Sequence, residues 1–237
     1  MDSLDSFLRF VSAVYATQLG RYLIFSGSAF LICYVLFRGP LQRFKIQKSV
    51  PEWTQYRHEI FWSLVSLLIF TLVAWSIFNP WIRPHTQIYF NIGDYGWGWV
   101  GASVVLLILL HDTWFYWTHR LMHHRRLFKL FHACHHRSHS PSPWATFAFS
   151  PLEAVVQAGI IVVFAFAFPM HPLALLIWVV WMTSFNVLGH LGYEIVPSRL
   201  YRGPGRYIFN TITSHDMHHR SVRGIPIKRP PTLTQKA

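Results

Sequence analysis

The chain has 237 residues, 52% of them hydrophobic and only 13% charged, with 11 Trp and 20 Phe. A soluble globular domain is about a quarter charged, so the composition excludes that class and points to an integral membrane protein of one domain. The formal net charge of +12 would suit a nucleic-acid binder, but the basic residues are parcelled out between apolar runs, and the aromatic residues beside them read as interfacial belts rather than base-stacking platforms.

In chain order, five apolar runs can enter a bilayer: 19–37, 60–78, 99–117, 154–168 and 172–191. A helical crossing takes about 20 residues. The second and third runs meet that length. The fourth is short, and Pro169-Met170-His171-Pro172 ties it closely to the fifth, so the two read as a shallow hairpin or as separate spans. The expected fold class is all-α integral membrane, with four to five transmembrane helices and a cytoplasmic histidine-rich helical cap. The first 18 residues carry two Asp and no basic n-region, so the first run reads as an uncleaved span, not a signal peptide. The expected organisation is N-terminal membrane helices over 1–95, a histidine-rich domain over 96–223, and a tail over 224–237. That tail is rich in Pro and Lys without apolar periodicity, and it reads as disordered.

Charge orients these spans. Segments 38–59 and 118–151 hold five Lys/Arg each and 192–237 holds eight, whereas 79–98 holds only Arg83 and 169–171 none. Basic segments alternate with non-basic ones as the spans alternate sides, so the positive-inside rule places the basic segments in the cytoplasm and the N-terminus outside. The expected location is a bacterial inner membrane or, in a eukaryote, the endoplasmic reticulum. The same charge attracts anionic headgroups or offers a docking face to an acidic redox partner. His85 and His171 fall on the outer side, and the remaining histidine groups fall together on the cytoplasmic side.

Those groups carry the chemistry. The stretch HDTWFYWTHRLMHHRRLFKLFHACHH, residues 111–136, holds a His-x-x-x-His pair (His119, His123) and a His-x-x-His-His triplet (His132, His135, His136). The triplet spacing returns as HDMHH, with His215, His218 and His219. No helix breaker lies between Gly101 and Pro141, so a helix can leave the membrane carrying His119 and His123 one turn apart, placed to share a metal. Adjacent His135 and His136 diverge enough to reach two different metals. A single tetrahedral zinc needs four ligands; seven to nine convergent histidines suit a pair of ions such as iron that keep positions open for oxygen. His190, at the cytoplasmic end of the fifth run, can join them. Asp112 lies about two turns back, near 10 Å along the axis, where it either orients a ligand imidazole or pairs as a buried charge with Arg120. Asn186 reads as a weak ligand or a hydrogen-bonding neighbour, and Glu194 as an outer support. His111 reads as structural and His124 as solvated. Cys33 and Cys134 lie too differently for a disulfide, and Cys134 is a lesser candidate ligand.

Other chemistries lack their motifs. There is no His-Glu-x-x-His, no Gly-rich phosphate loop and no Gly-x-Ser-x-Gly in the sequence. A membrane metal-binding or transport protein is the rival class, but transporters place ionisable ligands near the bilayer midplane, whereas these histidines gather at one edge.

The strings DTWFYWTHRLMH (112–123), HACHH (132–136), PSPWATFAFSPLEA (141–154), GHLGYE (189–194) and HDMHH (215–219) resemble the fatty acid hydroxylase/sterol desaturase superfamily over roughly residues 95–219. The PSPW…PLEA string looks most like its bacterial C-5 sterol desaturase-like branch. The resemblance implies an integral-membrane oxygenase with two non-haem iron ions that uses O2 to hydroxylate or desaturate a lipid C–H bond. It implies His119, His123, His132, His135, His136, His190, His215, His218 and His219 as ligands. It also implies a separate electron-transfer protein of cytochrome b5, ferredoxin or rubredoxin type, since the chain has no flavin or haem motif. Two departures stand out. Ser150 stands where that branch usually has His in an Ala-Phe-His-Pro string, so one site contact is expected to be lost or replaced. After the third box, the family's Asn-Tyr-Gly and Trp-Asp elements give way to RSVRGIPIKRPPTLTQKA, as expected of a truncated or frame-shifted and inactive member.

Overall fold

Apolar runs free of interior proline fold here into helices whose ends are set by Pro, Gly and Asn. The computed structural model describes residues 3–197 and 211–220; the tail expected over 224–237 lies outside the described residues. Helix α1 runs over Leu4–Leu36, starting well before the expected 19. Asp5 and Arg9 sit one turn apart on its exposed face and pair at 3.0 Å, so the early charges do not interrupt it. Phe7 and Phe10 on the other face pack against Trp75 with ring centroids 5.3 Å apart. The helix widens into π turns at Leu23–Gly27 and Leu31–Leu36.

Helix α2, Trp53–Phe78, follows Pro51 and stops at Asn79, whose side-chain oxygen accepts from the N–H groups of Trp81 and Ile82 at 3.0 Å. Helix α3, Gly96–Met122, begins at a glycine with φ of +76°, a left-handed turn that a side chain would strain. Helix α4, Pro151–Ala167, has Ser150 as its N-cap. Helix α5, Pro172–Gly189, is capped by the ring of His171 accepting from the Leu173 N–H at 3.1 Å. Both start with Pro, whose missing N–H costs nothing in a first turn. Helix α6 covers Ile212–Arg220. Among the described residues no strand forms, only isolated bridges of Lys45 with Tyr193 and Ile88 with Met170.

Four helices, α1, α2, α3 and α5, are long and apolar enough to cross a membrane. The fourth run becomes α4 and its 17 residues reach only about 25 Å, short of a hydrocarbon core of about 30 Å. The chain is an all-α multi-pass membrane protein. Its helices α3, α4 and α5 close around Leu107, Ile160, Phe164 and Trp178. The Phe164 and Trp178 rings meet edge to face at 5.5 Å, so α4 and α5 join a bundle with α3 rather than pairing only with each other.

The loop before α4 is buried, not draped over the surface. Its Phe147 and Phe149 pack with Tyr22 of α1, Leu67 of α2 and Ala154 of α4. An irregular segment so placed must have its carbonyls satisfied. Tyr22 and Ser63 both donate to the Trp144 carbonyl, at 2.8 and 2.9 Å. That plug locks α1, α2 and α4 together beneath the histidines.

Candidate metal centre

Helix α3 carries His119 in its last turn and stops at His123, its C-cap. It does not continue into the second box. The basic pair Arg125 and Arg126 is exposed, so no apolar face favours a longer helix. A short helix, Phe128–Phe131, leads to His132, and a 3-10 turn carries His135 and His136. His190 caps the end of α5, and α6 presents His215, His218 and His219.

These elements assemble two nests of four histidines. One joins His119, His123, His132 and His218; the other joins His135, His190, His215 and His219; within each, one ring nitrogen per residue lies within 4.8 Å of the rest. The second box therefore divides, His132 to one nest and His135 to the other. The HDMHH box divides likewise, since positions 215 and 219 share a helix face from which 218 is turned. In the first nest His218 Nε2 lies 3.0 Å from His119 Nε2 and 2.9 Å from His123 Nε2. In the second, His190 Nε2 lies 3.1 Å from His215 Nε2 and 3.4 Å from His135 Nε2. His136 stands between the nests, with its Nε2 3.3 Å from His123 Nε2 and its ring 4.7 and 4.9 Å from those of His218 and His219.

The donor set fits metal ions. Burial depresses the pKa of His123, His132, His135, His215 and His219, and pushes His136 down to about 3. The rings are thus neutral and offer lone pairs. His190 and His135 each direct Nδ1 at a backbone carbonyl, Asn186 at 2.7 Å and Ala148 at 3.4 Å. Their Nε2 atoms then confront each other with lone pairs, an arrangement that a cation between them relieves. His132 Nε2 and both ring nitrogens of His219 are buried with no hydrogen-bond partner. Metal–nitrogen bonds of about 2.0–2.1 Å set ligand nitrogens about 3.0 to 4.2 Å apart; the closest pairs here lie 2.9 to 3.4 Å apart and each set of four lies within 4.8 Å.

A family model described as fatty acid hydroxylase matches residues 104–225, the stretch that holds both nests. The chain belongs to the fatty acid hydroxylase family. It is similar to a Delta(7)-sterol 5(6)-desaturase of Gibberella zeae, 30% identical over 91% of this chain and 64% of the relative. It is also similar to lathosterol oxidase of Mus musculus, 29% identical over 88% of the chain and 68% of the relative. Methylsterol monooxygenase 1 of Gallus gallus is 29% identical over 93% and 74%. The chain thus spans about two thirds of the length of these relatives. No solved structure gives a significant match.

In this fatty acid hydroxylase family member the carboxylate nearest the histidines is not Asp112. The Asp112 side chain is 73% exposed and meets His111 at 3.5 Å; it lies seven residues before His119 on α3, about 10 Å along the axis, and its ionic contact is with His111 rather than with a ring of the nests or Arg120. The acid beside the histidines is Glu153 of α4, which accepts from His132 Nδ1 at 2.7 Å with both side chains 1% exposed. The sequence held a signal for it in the capping pattern Ser150-x-x-Glu153. Ser150 accepts from the Glu153 N–H at 3.2 Å and donates to the Phe131 carbonyl at 2.5 Å. It thereby ties α4 to the segment that carries His132. Asn186 acts through its backbone, while its amide donates to the Thr146 carbonyl at 3.0 Å. Glu194 holds the start of α6, accepting from the N–H and hydroxyl of Thr213 at 2.9 and 2.7 Å. His111 packs on Phe115 and Trp178, His124 is exposed, and Cys134 lies in neither nest. Burial pushes the Cys134 thiol up to about 12, so it is no ready ligand. Both cysteines are free.

Proposed function

We propose that the chain is a membrane-bound oxidoreductase that hydroxylates or desaturates a lipid C–H bond, with a sterol as the favoured substrate class. The observation that carries this reading is the pair of four-histidine nests within the stretch matched by the family model. The names of the relatives, sterol desaturase, lathosterol oxidase and methylsterol monooxygenase, support the substrate class. His119, His123, His132 and His218 would hold one iron ion, His135, His190, His215 and His219 a second, and His136 would stand between them. When bound, such a pair supplies activation of O2 and abstraction of hydrogen from carbon.

The protein's own part is positional. The carboxylate of Glu153 and the carbonyls of Asn186 and Ala148 fix three ring tautomers, so that each Nε2 is kept as a lone pair. Burial of His132, His135, His190 and His219 to 3% exposure or less keeps bulk water from the reacting atoms. An apolar groove of about 360 Å³ opens on the membrane flank of α3 and α4 beside Trp114, Trp117, Thr118 and Leu121. The groove lies along the part of α3 that leads to His119 and offers an apolar surface for a hydrocarbon chain there. The alternation of basic segments supports a cytoplasmic site and an external N-terminus. The basic cytoplasmic face would receive electrons from a separate acidic carrier of cytochrome b5, ferredoxin or rubredoxin type.

Metal analysis of purified protein together with lipidomics of cells with and without the chain tests this reading. Iron equivalent to one ion per nest, with an oxygen-dependent change in sterols, is expected. Zinc alone and an unchanged lipid profile would refute it.

A further inference from the structure

Away from the histidines, the end of α1 and the turn after it enclose a cleft of about 190 Å³. Phe30, Tyr34, Tyr56 and Tyr193 wall it, Arg38 and Lys45 charge it, and among the described residues no acidic side chain lines it. Lys45 Nζ lies 4.8 and 4.6 Å from the ring centres of Tyr34 and Tyr193 and 3.5 Å from the Tyr34 hydroxyl. That hydroxyl donates to the Leu191 carbonyl at 3.0 Å, so it turns a lone pair to the ammonium. The ion pairs among the described residues are Arg9–Asp5, His111–Asp112 and His132–Glu153; neither Arg38 nor Lys45 is neutralised by a carboxylate there.

Two acids send their fields toward the cleft without lining it. Asp216 accepts from Gln47 at 2.7 Å, and Glu59 accepts from Gln55 and Ser142. Burial lowers the Lys45 pKa, and Asp216 opposes that fall. The space depends on Gly192, at φ of +71°, where a Cβ would stand 2.7 Å from the Tyr34 hydroxyl and 3.3 Å from Lys45 Nζ. The cleft also straddles a polarity boundary. Phe30 lies within the apolar stretch Leu4–Leu36, Arg38 follows directly, and Val35, Leu36 and Phe37 are 56%, 62% and 52% exposed.

Unpaired cations beside an aromatic floor, at the level where a span leaves the apolar zone, match an anionic amphiphile. Basic pockets between helices at this level recognise phosphate head groups, and the guanidinium fork suits phosphate oxygens. We propose that this cleft binds a phosphate ester, with Arg38 and Lys45 on the phosphate and Phe30 and the apolar end of α1 against its hydrocarbon. The ester is the headgroup of an anionic phospholipid or a soluble phosphate ester.

Native mass spectrometry of the full chain released from detergent, loaded with phosphatidylglycerol or phosphatidylcholine, tests the site. A second arm adds glycerol phosphate. Phosphatidylglycerol adducts should predominate. Arg38→Gln, at an exposed position, should reduce that preference about fivefold, and Arg38→Gln with Lys45→Gln about 30-fold. Displacement of the lipid by glycerol phosphate assigns the site to soluble esters, and resistance to displacement assigns it to lipid; either supports a phosphate site. Equal retention of the two lipids with no binding of glycerol phosphate, or a preference untouched in both variants, overturns it.

Discussion

The two histidine nests use the same ring chemistry but are supported differently. In the first, His132 is held by a side chain, the buried Glu153 carboxylate, and His123 is only half-buried. In the second, His190 and His135 are held by the carbonyls of Asn186 and Ala148, and His215 is its one partly exposed ring as His123 is of the first. A carboxylate raises the basicity of the imidazole it orients more than a neutral carbonyl does. If the nests hold metal as proposed, the first is the one whose affinity side-chain chemistry would tune. The second is fixed by backbone and is reached mainly by removing a ligand.

The largest break in that contrast comes from His135→Ala. It deletes a ligand of the second nest that no water-filled surface can replace, so metal content should fall by at least the share of one nest and oxidation should cease. The protein should stay in the membrane, because α1, α2, α3 and α5 do not depend on that ring. Metal analysis and membrane fractionation of the same preparation check both halves. Full retention of metal and activity would remove His135 from the site.

Glu153→Gln should act next most strongly, and on one nest only. It keeps the shape and a hydrogen-bonding group but replaces the carboxyl that accepts from His132 Nδ1. Loss of such a support typically costs about 10- to 100-fold in metal affinity. Titration with a competing chelator should show one weakly held ion and one held as in the parent chain. If both ions loosen equally, the nests are not independently supported.

How much of this was legible in the sequence follows from the range of each signal. The histidine spacings are local, and i, i+3 and i+4 relations on a helix made the three boxes readable from residues 119–136 and 215–219. The allocation of His132 and His218 to one nest, and of His135, His190, His215 and His219 to the other, depends on how α3, α5 and α6 meet, which no local spacing encodes. The early start of α1 was missed because Asp5 and Arg9 interrupt the hydropathy, although their one-turn spacing lets them pair. Asp112 is an acid on the same face of α3 as His119, but two turns of helix set it about 10 Å back along the axis, where its side chain is exposed. Glu153 lies 21 residues from His132, and its local signal is the capping pattern Ser150-x-x-Glu153, which says nothing of a histidine partner.

Ser150 joins these threads and gives a smaller expected effect. As N-cap of α4 it fixes the first turn that contains Glu153, and its bond to the Phe131 carbonyl fixes the segment before His132. Ser150→Ala removes the cap and leaves that carbonyl without its hydroxyl partner, a cost of about 1 to 2 kcal/mol, measurable as a lower Tm of the detergent-solubilised protein. Metal loss should follow only from the first nest, and less than with Glu153→Gln.

The smallest expected effect belongs to Asp112→Asn. Its carboxylate is exposed and meets only His111 among ionic partners, and exposed pairs of this kind contribute about 0 to 1 kcal/mol. Metal content and lipid oxidation should match the parent chain. Matching values would confine carboxylate support of the histidines to Glu153. A loss of metal comparable to that of Glu153→Gln would mean that Asp112 reaches the first nest in the metal-bound protein, and the contrast between the nests would then rest on two carboxylates rather than one.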